Sequence, residues 1–206
     1  MDYTLEDAAA SASVLGTLFY FDPDTDRCAQ ALSFLLAPDA AGQWLGADDA
    51  DRRAFAIMQR NAQTQEESLH EAFSRLLVGP NRLPAPPWGS VYTDHDSVIF
   101  GDTTLAVRQW MRESGVKMKL ASREPEDHFG LMLIMTSWAL TEGVAEEDIR
   151  TLLEQHLLPW APRFLELFTE GAAGTFYEGL GLLAASTLDK WTEAFALSPA
   201  ERKLYR

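Results

Sequence analysis

The segment 129–140 is apolar on nearly every side, and it constrains the fold more than any other part of the chain. It is shorter than the ~20 residues of a membrane-spanning helix, and Thr136 and Ser137 interrupt it. A helix that is hydrophobic all round lies in a protein core. We therefore predict that this helix is central, and that the acidic residues before it lie where the core meets water.

Most of the remaining sequence has helical rather than strand periodicity, with Pro, Gly and Asp between the segments. Capping boxes at Thr4 with Asp7 and at Thr64 with Glu67 predict two of the helix starts. At 206 residues, nothing requires a second domain. We predict an all-α, single-domain helical bundle over residues 1–206, with helices near 4–21, 25–36, 48–63, 64–77, 102–114, 126–141, 145–157, 160–170 and 175–197.

Residues 78–101 contain four prolines and three glycines and are too long for an ordinary connection between helices. Such a segment is usually functional or disordered. Trp88, Val91, Tyr92, Ile99 and Phe100 favour an ordered loop, because apolar side chains in a free linker would have no reason to stay in water. We therefore predict a long, ordered, Pro/Gly-rich loop.

The charge balance limits the choice of partner. There are 31 acidic against 17 basic residues, a net charge of −14, which disfavours nucleic acids and anionic membranes and favours a basic partner. The single cysteine, Cys28, cannot form an internal disulfide, and the acidic start of the chain is unlike a secretory signal. These features indicate the cytoplasm.

Catalytic and metal sites are not indicated. Asp127 and His128 are neighbours, and adjacent residues on a helix point roughly 100° apart, a poor arrangement for an acid/base pair. A di-iron bundle needs two Glu-x-x-His motifs, and only one occurs, at Glu67 and His70. Nucleotide-binding glycine motifs are absent. We predict no cofactor, no metal and no enzymatic activity; the alternative is a metal- or nucleotide-dependent enzyme that uses Asp127 and His128.

The sequence Glu-Pro-Glu-Asp-His at 124–128 is also typical of a helix start. Pro125 suits the first helical position, and Glu126 and Asp127 oppose the positive end of a helix. His128 then either titrates near neutral pH or, as we favour, is a satisfied histidine at the core boundary. An acidic rim beside an apolar hollow suits a ligand that is cationic at one end and hydrophobic at the other.

Several motifs together resemble the TorD/DmsD family of redox enzyme maturation chaperones. They are the complete Glu-Pro-x-Asp-His motif at 124–128, the segment 86–115, "VLGTLFY" near the start and "HLLPWAPRFLELF" near the end. The resemblance covers essentially the whole chain. It implies an all-helical fold without catalytic chemistry and a monomer that works in the cytoplasm, with transient contact at the inner face of the membrane.

The resemblance also implies a partner. It is the twin-arginine signal peptide of a molybdoenzyme precursor, held until cofactor loading and folding are complete, and the dimethyl sulfoxide reductase catalytic subunit is the expected client. A different molybdoenzyme is the alternative, and contact with translocon components is also implied. Carried over residue by residue, the peptide-binding positions are Phe73, Leu76, Leu77, Pro86, Pro87, Trp88, Tyr92, Glu124, Pro125, Asp127 and His128.

Three of these positions depart from the family pattern. Phe73 and Tyr92 stand where tryptophan is expected, and Leu77 replaces a phenylalanine, which affects the choice of client. Leu69, Phe73, Leu76 and Leu77 share a helical face, for which we favour core packing over binding.

The physical chemistry of a twin-arginine leader agrees with these positions. Asp127 and Glu124 can accept charge-assisted hydrogen bonds from its guanidinium groups, while Trp88 and Tyr92 bury its apolar run. The leader would lie in the groove as an amphipathic helix. Because the client must be released, we expect micromolar affinity, about −8 kcal/mol.

Overall fold

The structure is a computed structural model that describes residues 3–44, 46–63, 67–116 and 124–206. Within these ranges it contains helices and no strand, which confirms the predicted all-α class. The helices are α1 Leu5–Tyr20, α2 Asp26–Leu35, α3 Ala40–Gln43, α4 Asp49–Asn61, α5 Leu69–Phe73, α6 Gly89–Thr93, α7 Asp102–Glu113, α8 Phe129–Thr141, α9 Glu146–Thr151, α10 Ala161–Gly171 and α11 Phe176–Ala194. Two π-helical turns, Ser74–Val78 and Leu152–Leu157, continue α5 and α9.

Helix α8 is largely buried, as its apolar sequence predicts, but Trp138 near its C-terminal end is 39% exposed. It packs along α1, and the two backbones approach closely where Gly16 faces Gly130. A Cβ atom at Gly16 would lie 2.9 Å from the Gly130 carbonyl oxygen. Small residues at this crossing therefore allow the two most apolar helices to pack backbone against backbone.

An aromatic cluster fills the space beside this helix pair. The ring of Phe129 lies 4.8 Å from the ring of Phe19 and 4.8 Å from that of Phe164, centroid to centroid. Trp160 is fully buried, and its indole N–H donates to the His156 carbonyl oxygen at 2.7 Å. Helix α11 packs against α4 on one side and α10 on the other.

Several predicted helix starts are confirmed by side-chain caps. Thr4 and Asp7 form the predicted capping box, and Asp48 and Thr175 cap α4 and α11. Helix α7 has no side-chain cap: Gly101 precedes it, and Asp102 is its first helical residue.

The start of α5 differs from the prediction. The predicted capping box at Thr64 falls partly on residues outside the described ranges. The described helix begins at Leu69, with Ser68 as its cap and Glu71 completing the box. The sequence contains two consecutive Ser/Thr-x-x-Glu patterns, at 64–67 and 68–71, and local pattern alone does not choose between them.

The long loop contains the short helix α6, which the sequence did not predict. Val91 and Tyr92 are buried and Trp88 is half-buried. Ile99 and Phe100, however, are 46% exposed, so the expectation that the apolar side chains of this loop all leave water is wrong for these two.

The extended segment 198–206 lies along the loop. Tyr205 donates its backbone N–H to the Tyr92 carbonyl oxygen, and Arg206 donates to the carbonyl oxygen of Pro84. Among the described residues, no helix has both the length and the apolar content needed to cross a membrane.

Candidate functional site

The candidate site forms where the loop meets the turn that precedes α8. Phe129 donates its backbone N–H to the Pro87 carbonyl oxygen at 2.7 Å, and Gly89 donates to the Asp127 carbonyl oxygen at 3.0 Å. These two bonds pair Trp88 with His128 as a short antiparallel bridge. The pairing places the Glu-Pro-x-Asp-His motif beside Trp88, far away in sequence.

Asp127 is at the centre of this junction and is fully buried. One carboxylate oxygen accepts from the Ser90 backbone N–H at 2.7 Å, and the other accepts from the Thr104 hydroxyl at 2.8 Å. Burial raises the pKa of Asp127, and the hydrogen bonds from Ser90 and Thr104 oppose that rise. The side chain thus ties the start of α8 to α6 and α7.

The prediction that Pro125, Glu126 and Asp127 form the first turn of a helix is wrong. Helix α8 begins at Phe129 with His128 as its cap, and the preceding residues form a turn closed by the bond from His128 N–H to the Pro125 carbonyl oxygen. The Asp127 carboxylate accepts from α6 rather than from the start of α8. The residue at which α8 begins depends on hydrogen bonds to the loop. The local sequence does not show where the loop lies.

His128 is buried, and desolvation lowers its pKa to about 3. Its Nδ1 atom accepts a hydrogen bond from the Gly130 backbone N–H at 3.1 Å, so the imidazole is a neutral acceptor. The ring packs edge-on against Tyr20 and Trp88. The burial of His128 and its hydrogen bond from Gly130 support the interpretation as a satisfied histidine at the core boundary over titration near neutral pH.

Glu124 has a different environment from Asp127. It is half-buried, and one oxygen accepts from the Trp88 indole N–H at 2.6 Å. Burial raises the pKa of Glu124, the Trp88 hydrogen bond lowers it, and the charge of Asp127 raises it. Within the described part of the chain no basic side chain pairs with Glu124, whereas neighbouring Glu126 pairs with Arg108 at 2.6 Å.

The remaining predicted residues are Pro86, Pro87 and Tyr92 of the loop and Pro125 of the turn before α8. Pro86 is half-buried, and Pro87 and Pro125 are buried. Tyr92 is fully buried and stacks on Trp160 with ring centroids 5.6 Å apart. Burial raises the pKa of Tyr92 above its ordinary range.

Phe73, Leu76 and Leu77 lie in the core rather than on an open surface. Phe73 packs near Tyr177, with ring centroids 6.3 Å apart, and Leu76 is fully buried. This is the core packing that the sequence favoured for their helical face. Their contact with a peptide stays a prediction.

Sequence reasoning missed the two partners of Asp127, Ser90 and Thr104. Hydroxyl residues near helix starts occur throughout the chain, and nothing in the sequence connects Thr104 to a carboxylate 23 positions later. The Arg108–Glu126 ion pair was also missed. Tertiary contact is what selects these residues.

A possible cation-binding group lies elsewhere. Among the described residues, Asp22, Asp24 and His70 are close enough to share a metal ion, and all three are partly or fully exposed. His70 Nδ1 and an Asp22 carboxylate oxygen lie 2.7 Å apart, so these two side chains also hydrogen-bond to each other. Asp127 and His128 do not belong to this group.

The all-α fold and the Glu-Pro-x-Asp-His motif point to one protein family, and comparison with known sequences identifies the same family. The family model described as the nitrate reductase delta subunit matches residues 41–166. The chain belongs to the TorD/DmsD family of redox enzyme maturation chaperones.

Comparison with individual proteins shows which members of this family the chain resembles. The chain is 44% identical to the Tat proofreading chaperone DmsD of Salmonella typhi over 98% of this chain and 97% of the relative. It is 32% identical to the probable Tat proofreading chaperone DmsD of Haemophilus influenzae over the full length of both. The chaperone protein TorD of Vibrio cholerae is 28% identical over 64% of each chain. These matches confirm the prediction of a chaperone rather than an enzyme.

Proposed function

We propose that this chain binds the twin-arginine signal peptide of a molybdoenzyme precursor and holds it until the enzyme has received its cofactor and folded. The client we propose is the dimethyl sulfoxide reductase catalytic subunit. Relatives that match nearly the whole chain carry the name Tat proofreading chaperone DmsD, which supports the signal-peptide class of partner. The choice of client rests on the resemblance in sequence.

The observation that carries the proposal is the environment of Glu124. Its carboxylate is half-buried, has no basic partner among the described residues and lies against the Trp88 indole. A half-buried carboxylate with no counter-ion among the described residues favours a cationic ligand, and an arginine offers a planar group that donates paired hydrogen bonds and stacks on an aromatic ring. Glu124 is therefore the residue we assign to direct contact with arginine.

Asp127 has a supporting role in this proposal. Because both of its oxygens are used inside the protein and none of its surface is exposed, it holds the junction in place rather than meeting the peptide. The sequence-based expectation of two arginine-binding carboxylates is thus reduced to one. Trp88, which contacts Glu124, and Pro86 supply partly exposed apolar surface.

Calorimetric titration tests the proposal. The purified chain is titrated with the dimethyl sulfoxide reductase leader and with a copy in which both arginines are lysines. We expect micromolar binding that weakens about tenfold for the lysine copy and for Glu124→Gln, since a charge-assisted bond is lost. Glu142→Gln, which removes an exposed carboxylate on another surface, is the matched control and should bind normally.

Two results would contradict the proposal. Absence of binding to this leader and to a panel of other twin-arginine leaders would remove the function. Unchanged affinity of the Glu124→Gln variant would remove the assigned site. Preference for another leader of the panel would instead identify a different molybdoenzyme as the client.

We infer that the chain acts as a monomeric, single-domain protein of the cytoplasm, with transient contact at the inner face of the membrane. A large net negative charge supports the monomer, because copies of the chain repel each other. Sedimentation with and without the leader tests the monomer, and fractionation of cells tests the location. Metal analysis of the purified chain tests the expectation that it carries no metal.

A further inference from the structure

Four large apolar side chains form an exposed patch at the end of the long loop. Val98, Ile99 and Phe100 are 44%, 46% and 46% exposed, and Leu105 on the adjoining helix α7 is 55% exposed. We call these four residues the loop tip. Large apolar side chains that are exposed close together commonly mark an interaction site.

The conformation of the loop tip is held by its surroundings. Asp94 accepts from the Asp96 backbone N–H at 2.9 Å through its side chain and from Ser97 at 3.0 Å through its carbonyl. The hydroxyl groups of Thr93 and Thr103 bond to each other across the base of the loop. The apolar residues are thus displayed by a closed loop and not by a free end.

The backbone of the loop tip is also strained. Ser97 and Phe100 have positive φ angles of 50° and 67°, which residues other than glycine rarely adopt. Strain of this kind persists where the surrounding contacts determine it, and it is concentrated at functional sites. A surface ordered before binding loses less conformational entropy when a partner arrives.

The loop tip is connected to the candidate site through one side chain. The Arg108 guanidinium lies 5.5 Å from the centre of the Phe100 ring and pairs with Glu126 at 2.6 Å. Glu126 is two residues from Glu124. Arg108 therefore links the loop tip to the turn that follows Glu124.

The charges near the loop tip restrict the occupant. Asp96 and Asp102 are exposed and Asp94 is partly exposed, so carboxylates flank the apolar residues along the chain, while Arg108 lies over the Phe100 ring. Anionic lipid and a second copy of this acidic chain would both be repelled there. A segment that joins an apolar run to positive charge is attracted by both features.

We propose that the loop tip binds the apolar run that follows the two arginines of the signal peptide. This inference rests on the proposed function and adds an orientation to it. The arginines contact Glu124, the peptide crosses the Arg108–Glu126 pair, and the apolar run covers Ile99, Phe100 and Leu105. The Arg108 charge next to Glu126 disfavours the reverse orientation, because it would repel the arginines.

The test compares two variants of the loop tip with a matched control. Ile99→Ser/Phe100→Asn removes apolar surface, and asparagine tolerates the positive φ angle at position 100. Leu105→Gln removes apolar surface at a position in α7, where the backbone is helical and unstrained. Leu182→Ser removes another exposed leucine, 39% exposed on α11, and is the control.

Each variant is titrated with the full leader and with a shortened peptide that ends after the arginines. We expect both loop-tip variants to bind the full leader about tenfold more weakly, because apolar burial is lost, and the control to bind normally. An environment-sensitive fluorophore on the apolar run should shift to the blue with the unmodified chain and not with the double variant. The shortened peptide should not distinguish the loop-tip variants from the unmodified chain.

The outcomes separate this inference from the function on which it rests. If the unmodified chain binds the leader and both loop-tip variants bind it equally well, the inference is overturned and the proposed function stands. If sedimentation shows a dimer that the double variant dissociates, with leader affinity unchanged, the loop tip is a self-association surface and the inference is again overturned. If the unmodified chain binds no leader, both fail together.

Discussion

At the scale of single residues, one short motif contains two carboxylates with opposite roles. Asp127 is fully buried with both oxygens hydrogen-bonded, and Glu124 is half-buried with one oxygen on Trp88. The carboxylate of Asp127 is structural, and we propose that the carboxylate of Glu124 binds a ligand. Burial and the available donors decide between these roles, and the residue type does not.

Substitution of Asp127 should therefore affect stability first. In Asp127→Asn the amide group places donors against either the Ser90 N–H or the Thr104 hydroxyl, and one buried donor loses its acceptor. We expect a loss of about 1–3 kcal/mol in the free energy of unfolding, measured by urea denaturation. Asp189→Asn, at an exposed position, should leave the urea midpoint unchanged. An Asp127→Asn midpoint equal to that of the unmodified chain would contradict the structural role.

His128 predicts a dependence of stability on pH. Its pKa is about 3 in the folded protein, below the ordinary value of 6.5, so the unfolded chain binds a proton first. The stabilising contribution of the neutral ring is complete above pH 6.5 and is lost as the pH falls toward 3. Between pH 7 and 5 we expect a loss of about 2 kcal/mol from this residue.

His128→Asn keeps an acceptor for Gly130 and should flatten this pH dependence, as measured by urea midpoints at several pH values. His156, with a pKa lowered to about 4, contributes in the same direction and should leave part of the slope. The raised pKa values of Glu124 and Asp127 act in the opposite direction at lower pH, so the comparison belongs above pH 5. His95→Asn, on an exposed side chain, is the control, and an equal slope in both variants would contradict this prediction.

At the scale of helices, the close approach of α1 and α8 determines where the candidate site lies. His128 caps α8, and the N-terminal end of α8 meets the C-terminal part of α1 at Gly130 and Tyr20. A change in the distance between these helices would shift the turn that carries Glu124. Packing of α8 and geometry of the site are therefore coupled.

Gly16→Ala tests this packing. The new Cβ would lie 2.9 Å from backbone atoms of Gly130 and Ile134, and backbone cannot move aside cheaply. We expect a loss of about 1–3 kcal/mol in the free energy of unfolding. Gly42→Ala, in α3, has no atom within 4 Å of the new Cβ and should be neutral or slightly stabilising. Equal urea midpoints for the two variants would show that the helices tolerate separation.

At the scale of the whole molecule, the net charge of −14 governs association with a basic peptide. Long-range attraction raises the association rate and is screened within about 8–10 Å at physiological ionic strength. We expect the association rate of the leader, measured by stopped flow, to fall several-fold from about 20 to 200 mM salt, with a smaller change in the dissociation rate. The lysine copy has the same charge and should show the same salt dependence despite weaker binding. An association rate independent of salt would contradict steering by the net charge.

The helical class could be predicted from the sequence because helices depend on short-range patterns. Thr4 and Asp7 form the cap of α1 within one helical turn. The apolar residues of α8 indicate a buried helix, whichever elements pack against it. The family motif at 124–128 is likewise readable along the chain. The short helix α6 and the true start of α8 were missed, because both depend on bonds between the loop and the turn before α8.

The sequence by itself determined the all-α class, the burial of α8 and the family to which the chain belongs, since each of these is written in local periodicity or in contiguous motifs. Only the tertiary structure decided that Asp127 is buried, that Glu124 is half-buried against Trp88, and that the apolar loop tip faces water. Trp88 and Glu124 are 36 positions apart, and their contact exists because the loop pairs with the turn before α8. Burial and hydrogen-bond partners are properties of segments distant in sequence, so no local pattern could assign them.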